Sequence, residues 1–502
     1  MEPRNRNRPP VSITLLVCLA SGTIIAHFFI GDGYGFHRDE LATLDDARHL
    51  AWGYIAYPPV TPFFGRLSLA LFGTSLVGFR FFASLAAAGS IVLTGLIARE
   101  MRGGRMAQLI AAVASMPFCL ACGSLMQYVA FDYLCWVLTA YFVVRLINSG
   151  NPRWWLAIGA AVGFGMLTKY SILFFVAGIV IGVLATNLRS ELKSKWVWIG
   201  AVCSVLIFLP NLWWQINHHF ISLDFLRHIH ERDVRIGRTK DFLPDQVLLT
   251  LFGFPIAVAG LLYCWFSRDA VRFRVLGWMY VVPLLLFLLA QGRGYYLAPA
   301  YSILYAAGAV WLESQLMRMS RSSFRTAVVC VITILLLVNV SVAAAVALPI
   351  APINSKWWAF ASKNNGDLVE EIGWPDLVET IAQIRDRLPA NERARVGILA
   401  GNYGEAGAVN LYGSNYRLPR AICGTNSFWA RGYGDPSPEI VIVVGFSRKF
   451  AETYFDSFEM AAQSRNRYGV ANEESRDHPE IFVCRGFRKN WPEFWKTFQR
   501  YG

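Results

Sequence analysis

The sequence predicts an α-helical polytopic membrane bundle followed by a C-terminal extracytoplasmic α/β domain. Of its 502 residues, 55% are apolar and only 16% are charged, and the mean hydropathy is +0.38. Soluble enzymes carry more charge than this. Apolar runs long enough to cross a bilayer recur up to about residue 350, and none follows. These observations predict about eleven spans.

Windows of about 17 to 25 apolar residues mark the candidate spans. We expect them near 11–30, 77–98, 107–126, 129–147, 154–169, 171–187, 196–216, 245–266, 273–291, 295–312 and 324–348. The first run has full span length and lacks a small-x-small cleavage site, so we expect it to remain as a span rather than be removed as a signal peptide.

The distribution of Lys and Arg predicts the orientation. With the amino terminus in the cytoplasm, each inner loop is short and basic, from Arg4, Arg6 and Arg8 at the start to the arginines near residue 320. The mixed-charge loops 31–76 and 217–244 then lie outside, as the positive-inside rule requires. An odd number of spans also places residues 350–502 outside. We therefore expect a multi-pass protein of the cell inner (plasma) membrane.

The net charge of +13 comes from these dispersed loops. Nucleic-acid-binding proteins instead gather their basic residues on one face, so we expect no nucleic-acid partner. Membrane lipid, including anionic lipid, is the partner that dispersed basic loops favour.

The chain divides into a transmembrane domain, residues 1–349, with its outer loop 31–76, and an extracytoplasmic domain, residues 350–502. Within the second domain, 396–400 and 440–444 are continuous apolar runs typical of buried strands, and 375–388 has helical spacing. Cys423 and Cys484 are the only cysteines of this domain. A disulfide between them is one alternative in an oxidising compartment.

Two acidic side chains follow the first span closely. Asp39 and Glu40 lie in His37-Arg38-Asp39-Glu40, and residues 40–52 have helical spacing. The acidic pair is therefore expected at a helix start, where the helix dipole favours ionised carboxylates. An ionised Asp39 can act as a general base. An ordinary solvated loop is the competing interpretation.

A third carboxylate and two cations are expected on the same side. Asp132 lies at the outer end of the fourth span, Lys169 lies between two apolar runs, and Arg293 precedes Tyr295 and Tyr296. Acidic side chains within spans usually face the bundle interior or a water-filled cavity. For Lys169 the alternative is a side chain that snorkels to the interface. Together these groups fit a reaction that needs a base and an anion clamp, such as one that releases a phosphate-linked leaving group.

The same segments carry a family resemblance. They are His37-Arg38-Asp39-Glu40 with 47–54 and Pro58-Pro59, Ala130-Phe131-Asp132, Leu167-Thr168-Lys169-Tyr170-Ser171, and 295–301, with 401–406 and 424–427 in the second domain. The chain resembles bacterial members of the GT-C membrane glycosyltransferases, specifically family 39, which includes the protein O-mannosyltransferases, the aminoarabinose transferase and Rgt-type sugar transferases. It departs from the usual pattern at Tyr57, where relatives have His before Pro-Pro, and at Tyr133, where Pro is expected.

The resemblance implies a GT-C fold and a polyprenyl-phosphate-linked sugar donor. The sugar passes with inversion to the hydroxyl of a lipid, glycan or protein acceptor. Nucleotide sugars are cytoplasmic, so transfer on the outer face of the membrane needs a donor carried by a lipid.

On this resemblance, Asp39 is the general base. Glu40 orients the loop or assists a metal or water, and Asp132 positions the acceptor or partners Asp39. The donor phosphate is expected to bind Lys169 and Arg293, with Arg38 as a further candidate. These side chains are the predicted catalytic and phosphate-binding set.

Further polar and aromatic residues are candidates for binding the substrates. They are His37, His49, Tyr57, Tyr295, Tyr296, Tyr403 and Glu405. For the second domain, which contributes the last two, a structural lid on the bundle is the alternative.

Metal dependence stays open at this level. His37, Asp39, Glu40 and His49 are nitrogen and oxygen donors close in the sequence, but they lack a tight ligand spacing such as HExxH. A divalent cation is therefore one alternative and a metal-free site the other.

Two other classes of function compete with the enzyme. A transporter or flippase of a lipid-linked saccharide tends to show two matching halves and broken helices near mid-membrane, and neither pattern is evident here. A non-enzymatic envelope protein has no need of carboxylates at the membrane rim.

Overall fold

The computed structural model of the protein describes residues 9–502. Arg4, Arg6 and Arg8, which entered the orientation argument, lie outside the described residues. Residues 9–349 are helical almost throughout, and the strands lie in the C-terminal part. The first part contains fifteen α-helices among the described residues: α1 Ile13–Ile30, α2 Arg38–Arg48, α3 Val60–Phe72, α4 Leu76–Glu100, α5 Arg105–Gly123, α6 Tyr128–Ser149, α7 Trp154–Met166, α8 Ile172–Ala185, α9 Lys195–Asn217, α10 Ile221–Arg235, α11 Phe242–Thr250, α12 Phe254–Phe266, α13 Arg274–Leu289, α14 Tyr301–Arg318 and α15 Ser322–Ala347.

Eight helical stretches of the described chain are long and apolar enough to cross a membrane. They are Ile13–Ile30, Leu76–Glu100, Arg105–Gly123, Tyr128–Ser149, Lys195–Asn217, Phe242–Phe266, Arg268–Leu289 and Ser322–Ala347. A ninth is added if α8 and the 3₁₀ helix Asn187–Lys193, which meet at a bend of 101°, are one span. The protein is thus an integral membrane protein with a helical bundle, as predicted.

The number of spans is lower than the expected eleven by this criterion of length and composition. Near 154–169, α7 has only 13 residues and ends at Met166, and α8 begins at Ile172. Near 295–312, Gly294–Ala300 forms a 3₁₀ helix before α14 begins. In the first window the apolar run continues past the end of the helix, and in the second it begins before the helix does, since hydropathy alone does not mark helix ends.

Loops that are far apart in the sequence meet at one end of the bundle. The Tyr34 hydroxyl, after α1, donates to the carbonyl of Ala351, after α15, at 2.5 Å. The Val60 N–H, at the start of α3, donates to the carbonyl of Leu167, at the end of α7, at 3.1 Å. We call this the first-loop end of the bundle. The C-terminal part starts there.

The C-terminal part forms an α/β domain, as predicted. It contains α16 Lys356–Asn364, α17 Trp374–Arg387, α18 Ala390–Arg393, β1 Val396–Ala400, α19 Tyr403–Tyr412, β2 Ala421–Cys423, β3 Ile440–Val444, α20 Arg448–Tyr454, β4 Phe455–Gln463, α21 Glu473–Asp477, β5 Glu480–Phe487 and α22 Trp491–Thr497. The strand order is β2-β1-β3-β5-β4, with β1 parallel to β2 and β3, and β5 antiparallel to β3 and β4. Every residue of β1 and β3 is buried, which explains their continuous apolar sequences.

The sheet excludes the disulfide alternative. Cys423 and Cys484 are buried and free. β1 and β3 lie between their strands, so about three strand spacings, roughly 14 Å, separate them. A disulfide needs Cα atoms within about 7 Å.

The C-terminal domain packs directly on the first loop. Helix α19 crosses α2 at Gly407, where an added Cβ would lie 2.7 Å from the Cβ of Leu41. Only glycine allows the two helices to approach so closely. The first loop is therefore sandwiched between the bundle and the second domain.

Candidate functional site

The candidate site is built around the start of α2. His37 is the N-cap residue: its ring accepts the backbone N–H of Asp39 at 3.1 Å, while the Glu40 carboxylate accepts the N–H of His37 at 3.0 Å. This reciprocal capping box fixes the helix start. Asp39 and Glu40 thus lie in the first turn of a helix, as predicted.

Glu40 is fully buried and serves the structure of the loop. Its carboxylate accepts hydrogen bonds from two nitrogens of Arg80 on α4, at 2.9 and 2.6 Å. It also accepts the backbone N–H of Met126, before α6, at 2.8 Å. Among the two roles that the resemblance suggested for Glu40, this geometry fits orientation of the loop.

Asp39 points in another direction, and its side chain is 43% exposed. The hydroxyl of Tyr403 donates to one carboxylate oxygen at 2.8 Å, and the side-chain amide of Gln127 donates to the other at 3.1 Å. Two separate parts of the chain therefore aim this carboxylate while leaving it accessible.

The surroundings keep Asp39 ionised. Burial of part of the group raises its pKa, but the charges of His37 and Arg38 and the hydrogen bond from Tyr403 outweigh that effect, so the pKa lies below its ordinary value. Arg293 acts in the same direction. At neutral pH, Asp39 is thus a carboxylate able to accept a proton.

Lys169 lies inside a group of aromatic rings. Its ammonium is 3.8 Å from the ring centre of Tyr296, 4.9 Å from that of Tyr128 and 5.1 Å from that of Tyr295. Cation–π attraction stabilises a desolvated ammonium there. Among the side chains that the structure describes, no carboxylate forms an ion pair with Lys169 within 4.0 Å, although Asp132 interacts with it electrostatically at longer range. The position of the ammonium among these rings favours the predicted site over the snorkelling alternative.

Arg293 pairs with a residue that the sequence analysis did not identify. Two of its nitrogens, Nε and one terminal nitrogen, each lie 2.6 Å from Oδ2 of Asp233, on α10. Arg293 also interacts electrostatically with both Asp39 and Lys169. The base candidate and the two cation candidates therefore come together at the first-loop end.

Asp132 lies deeper, on α6. Its carboxylate is buried and accepts a hydrogen bond from the indole of Trp136 at 3.0 Å and a long one from Ser171 at 3.5 Å. It interacts electrostatically with Lys169. Asp132 is thus placed to hold Lys169 rather than to contact Asp39.

The second half of α2 binds the C-terminal domain. Tyr57 donates to the Asp46 carboxylate at 2.6 Å, and Arg431 reaches Asp46 at 2.5 Å and Asp45 at 2.9 Å. His49, at the end of the helix, contacts the guanidinium of Arg420 at 3.1 Å. Tyr57 and His49 therefore lie at the contact between the two domains.

The remaining predicted residues fall into two groups. Tyr403 reaches Asp39. Glu405 is buried and accepts the backbone N–H groups of Gly401 and Asn402, at 2.8 and 3.3 Å, as the third-position partner of Asn402 in the capping box of α19. Arg38 pairs with Glu473 at 2.7 Å and lies over the ring of Tyr403. The geometry of Glu405 fits a structural role in place of the expected contact with substrate.

The part of the chain that the structure describes shows no group of three or more His, Cys, Asp and Glu side chains arranged to hold a metal ion. Of the expected metal donors, the ring of His37 accepts a hydrogen bond as the N-cap of α2, and the Glu40 carboxylate forms an ion pair with Arg80.

Four residues of the site were not predicted from the sequence: Arg80, Gln127, Tyr128 and Asp233. Each contacts a predicted residue that is far away in the sequence. The one available signal was charge, since Arg80 lies within an apolar run, where ionisable residues usually have a function or a partner.

Residues 56–214 match the family model described as dolichyl-phosphate-mannose-protein mannosyltransferase. The chain is 26% identical over 242 residues to an undecaprenyl phosphate-α-4-amino-4-deoxy-L-arabinose arabinosyl transferase of Pseudomonas fluorescens, across 45% of this chain and 42% of the relative. It is 29% identical over 191 residues to the lipid A galacturonosyltransferase RgtD of Rhizobium johnstonii, across 35% of this chain and 38% of the relative. These alignments span less than half the length of the curated relatives.

Two solved structures share the fold over more of the chain. ArnT from Cupriavidus metallidurans, bound to undecaprenyl phosphate, superposes with a TM-score of 0.57 at 14% identity, covering 94% of this chain and 98% of ArnT. The Archaeoglobus fulgidus oligosaccharyltransferase has a TM-score of 0.53 at 13% identity, covering 86% of this chain and 68% of that one. The fold is therefore the predicted ArnT-like GT-C fold. The chain thus shares the fold of ArnT, and its residues 56–214 resemble a protein-mannosyltransferase family domain.

Proposed function

We propose that the protein is a glycosyltransferase of the cell inner membrane that moves a sugar from a polyprenyl-phosphate-linked donor to an acceptor hydroxyl. The observation that carries the proposal is the meeting of an accessible, ionised Asp39 with the cations Lys169 and Arg293 at one end of the bundle. Such a site holds a base for the acceptor and an anion clamp for the leaving phosphate. An envelope scaffold needs neither.

The relatives support this donor class. Two of the similar proteins carry undecaprenyl phosphate in their names or solved complexes. Transfer on the outer face requires a lipid-carried sugar, and this fits an orientation with the amino terminus in the cytoplasm and the C-terminal domain outside. A lipid is the acceptor class that we propose, because RgtD is named as a lipid A galacturonosyltransferase.

The reaction is a single displacement. Asp39 accepts the proton of the acceptor hydroxyl as its oxygen attacks the anomeric carbon from the face opposite the phosphate. The bond between that carbon and the phosphate oxygen breaks, the electron pair leaves with the phosphate, and the configuration inverts. Lys169 and Arg293 stabilise the charge on the departing phosphate through charge-assisted hydrogen bonds.

The other acidic residues position these groups. Buried Asp132 holds Lys169 by charge, and Glu40 fixes α2 to α4 through Arg80. Tyr128, Tyr295 and Tyr296 shield Lys169 from water, which strengthens its attraction for an anion.

Replacing the base is the direct test. Asp39→Asn keeps the size of the side chain but cannot accept the proton, so transfer from a polyprenyl-phosphate sugar should fall by roughly 10²- to 10⁴-fold. Asp32→Asn, an exposed position in the same loop, is the matched control and should retain activity. A purified Asp39→Asn protein with a near-normal transfer rate would remove Asp39 from this role.

A further inference from the structure

A buried carboxylate lies behind the proposed phosphate clamp. Asp233, near the end of α10, has a side chain that is only 4% exposed, yet three guanidinium groups approach it. They belong to Arg293 at 2.6 Å, Arg232 at 3.7 Å and Arg238 at 3.8 Å. We call these four residues the Asp233 cluster.

The cluster has more positive charge than one carboxylate neutralises. Its three arginines and one aspartate carry a net charge of +2. Oδ2 of Asp233 accepts both bonds from Arg293, while Oδ1 accepts no hydrogen bond among the described residues and faces the two more distant arginines. Arg232 and Arg238 lie farther from the carboxylate and are 25% and 48% exposed, so Arg293 is the principal partner of Asp233.

The cluster adjoins the reaction site through Arg293. This side chain is partly exposed, and its charge acts on both Lys169 and Asp39. Asp233 engages two of its nitrogens, which fixes the guanidinium plane and leaves the remaining N–H groups for another acceptor. A phosphate bound between Lys169 and Arg293 is therefore repelled by the negative charge of Asp233, which lies on the other side of the arginine.

We propose that Asp233 is a positioning residue that orients Arg293 and weakens the hold of the clamp on the phosphate that leaves, so that the product is released. This inference rests on the proposed function and concerns its donor end. The donor phosphate is a diester with one negative charge, whereas the product is a monoester with about −1.5 to −2 at neutral pH. An unopposed cationic clamp would bind that product more tightly than the donor. The negative charge of Asp233 offsets part of this excess affinity for the product.

Binding of the product can be measured without any transfer reaction. The Asp233→Asn substitution keeps an oxygen that accepts from Arg293 but removes the negative charge. We expect purified Asp233→Asn to bind polyprenyl phosphate roughly 3- to 30-fold more tightly than the wild type, as loss of one charge at this range predicts. In the same variant, added polyprenyl phosphate should inhibit turnover more strongly. Because release of the product is slower, kcat should fall while KM for the donor does not rise.

Two controls separate this effect from general disruption. Asp224→Asn removes the same charge from an exposed position on the same helix and should leave product binding unchanged. Neutral polyprenol and inorganic phosphate, used as separate probes, show whether the charge effect belongs to the lipid phosphate or to any phosphate. If Asp233→Asn folds poorly, Arg238→Gln tests the same balance of charge, because it removes a positive charge from the cluster. This variant should bind polyprenyl phosphate more weakly.

The outcomes distinguish this inference from the proposed function. A wild-type protein that binds polyprenyl phosphate, with an Asp233→Asn variant that binds it equally or more weakly, would overturn the role of Asp233 and leave the donor class intact. A wild-type protein that does not bind polyprenyl phosphate at all would overturn both. Tighter binding by Asp233→Asn would be hard to reconcile with a purely structural ion pair, because loss of such a pair loosens a site.

Discussion

Asp39 acquires its properties from residues that are remote in the sequence. Tyr403 lies 364 positions away and Gln127 lies 88 positions away, yet each donates to one oxygen of the carboxylate. Hydrogen bonds to an ionised carboxylate favour the charged form. The same two bonds hold the group in one orientation, which a base needs if it is to meet the acceptor proton.

The acid limb of the pH–rate profile tests this environment. As the proposed base, Asp39 can act only when ionised, so we expect activity to be lost as pH falls through its pKa, which the cations and Tyr403 hold low. Tyr403→Phe removes a bond that favours the ionised form, so the pKa rises and the acid limb moves to higher pH. Tyr468→Phe, at an exposed position of the same domain, is the control. If the two variants have superimposable profiles, Tyr403 does not tune Asp39.

At the scale of the elements, helix α2 is fixed from both sides. Arg80, on α4, binds Glu40 and also donates to the carbonyl of Gly31 at 2.6 Å and to the carboxylate of Glu371, in the C-terminal domain, at 3.2 Å. One buried guanidinium thus joins the first loop, the bundle and the second domain. The position of Asp39 depends on this junction, because Asp39 immediately precedes Glu40.

Removing Arg80 should therefore destabilise the whole protein. Arg80→Met strands the buried charge of Glu40, and breaking such a pair costs about 3–5 kcal/mol. Thermal unfolding in detergent measures the loss, with Arg66→Met, at an exposed position on α3, as the control. Arg80→Met combined with Glu40→Gln removes the stranded charge and should recover part of the stability. Equal melting temperatures for Arg80→Met and Arg66→Met would contradict this account.

The sequence predicted elements better than it predicted partners. The start of α2, the strands β1 and β3 and the helix α17 followed from local patterns, because caps and hydrophobic periodicity are local. The end of α7 at Met166 did not follow from such a pattern, since the apolar run continues past it. The pairing of Arg80 with Glu40 and that of Arg293 with Asp233 could not be predicted from local patterns either. Their members are 40 and 60 positions apart, and only the fold brings them together.

At the scale of the whole molecule, the site is shared between the two domains. The bundle supplies Lys169 and Arg293, the first loop supplies Asp39, and the C-terminal domain supplies Tyr403. Arg431 adds a link to the far end of α2 through buried Asp45 and Asp46. The C-terminal domain is thus more than a cover, since it positions the proposed base.

The crossing of α19 over α2 offers a test of this division. An Ala Cβ at Gly407 would lie 2.7 Å from the Cβ of Leu41 and 2.8 Å from its carbonyl carbon, whereas nothing lies within 4 Å of a Cβ added at Gly366. Because backbone atoms cannot move aside cheaply, Gly407→Ala should separate the helices at a cost of about 1–3 kcal/mol. Tyr403, the first residue of α19, would then no longer donate its hydrogen bond to Asp39.

Gly407→Ala should therefore reduce the rate of sugar transfer several-fold and lower the melting temperature. Binding of polyprenyl phosphate should persist, since Lys169 and Arg293 belong to the bundle. Gly366→Ala introduces the same methyl group at an exposed site in the same domain and should resemble the wild type in all three measurements. If Gly407→Ala matches Gly366→Ala in transfer, contact between the domains is not needed to position the base. If it loses polyprenyl phosphate binding instead, the donor end depends on the second domain as well.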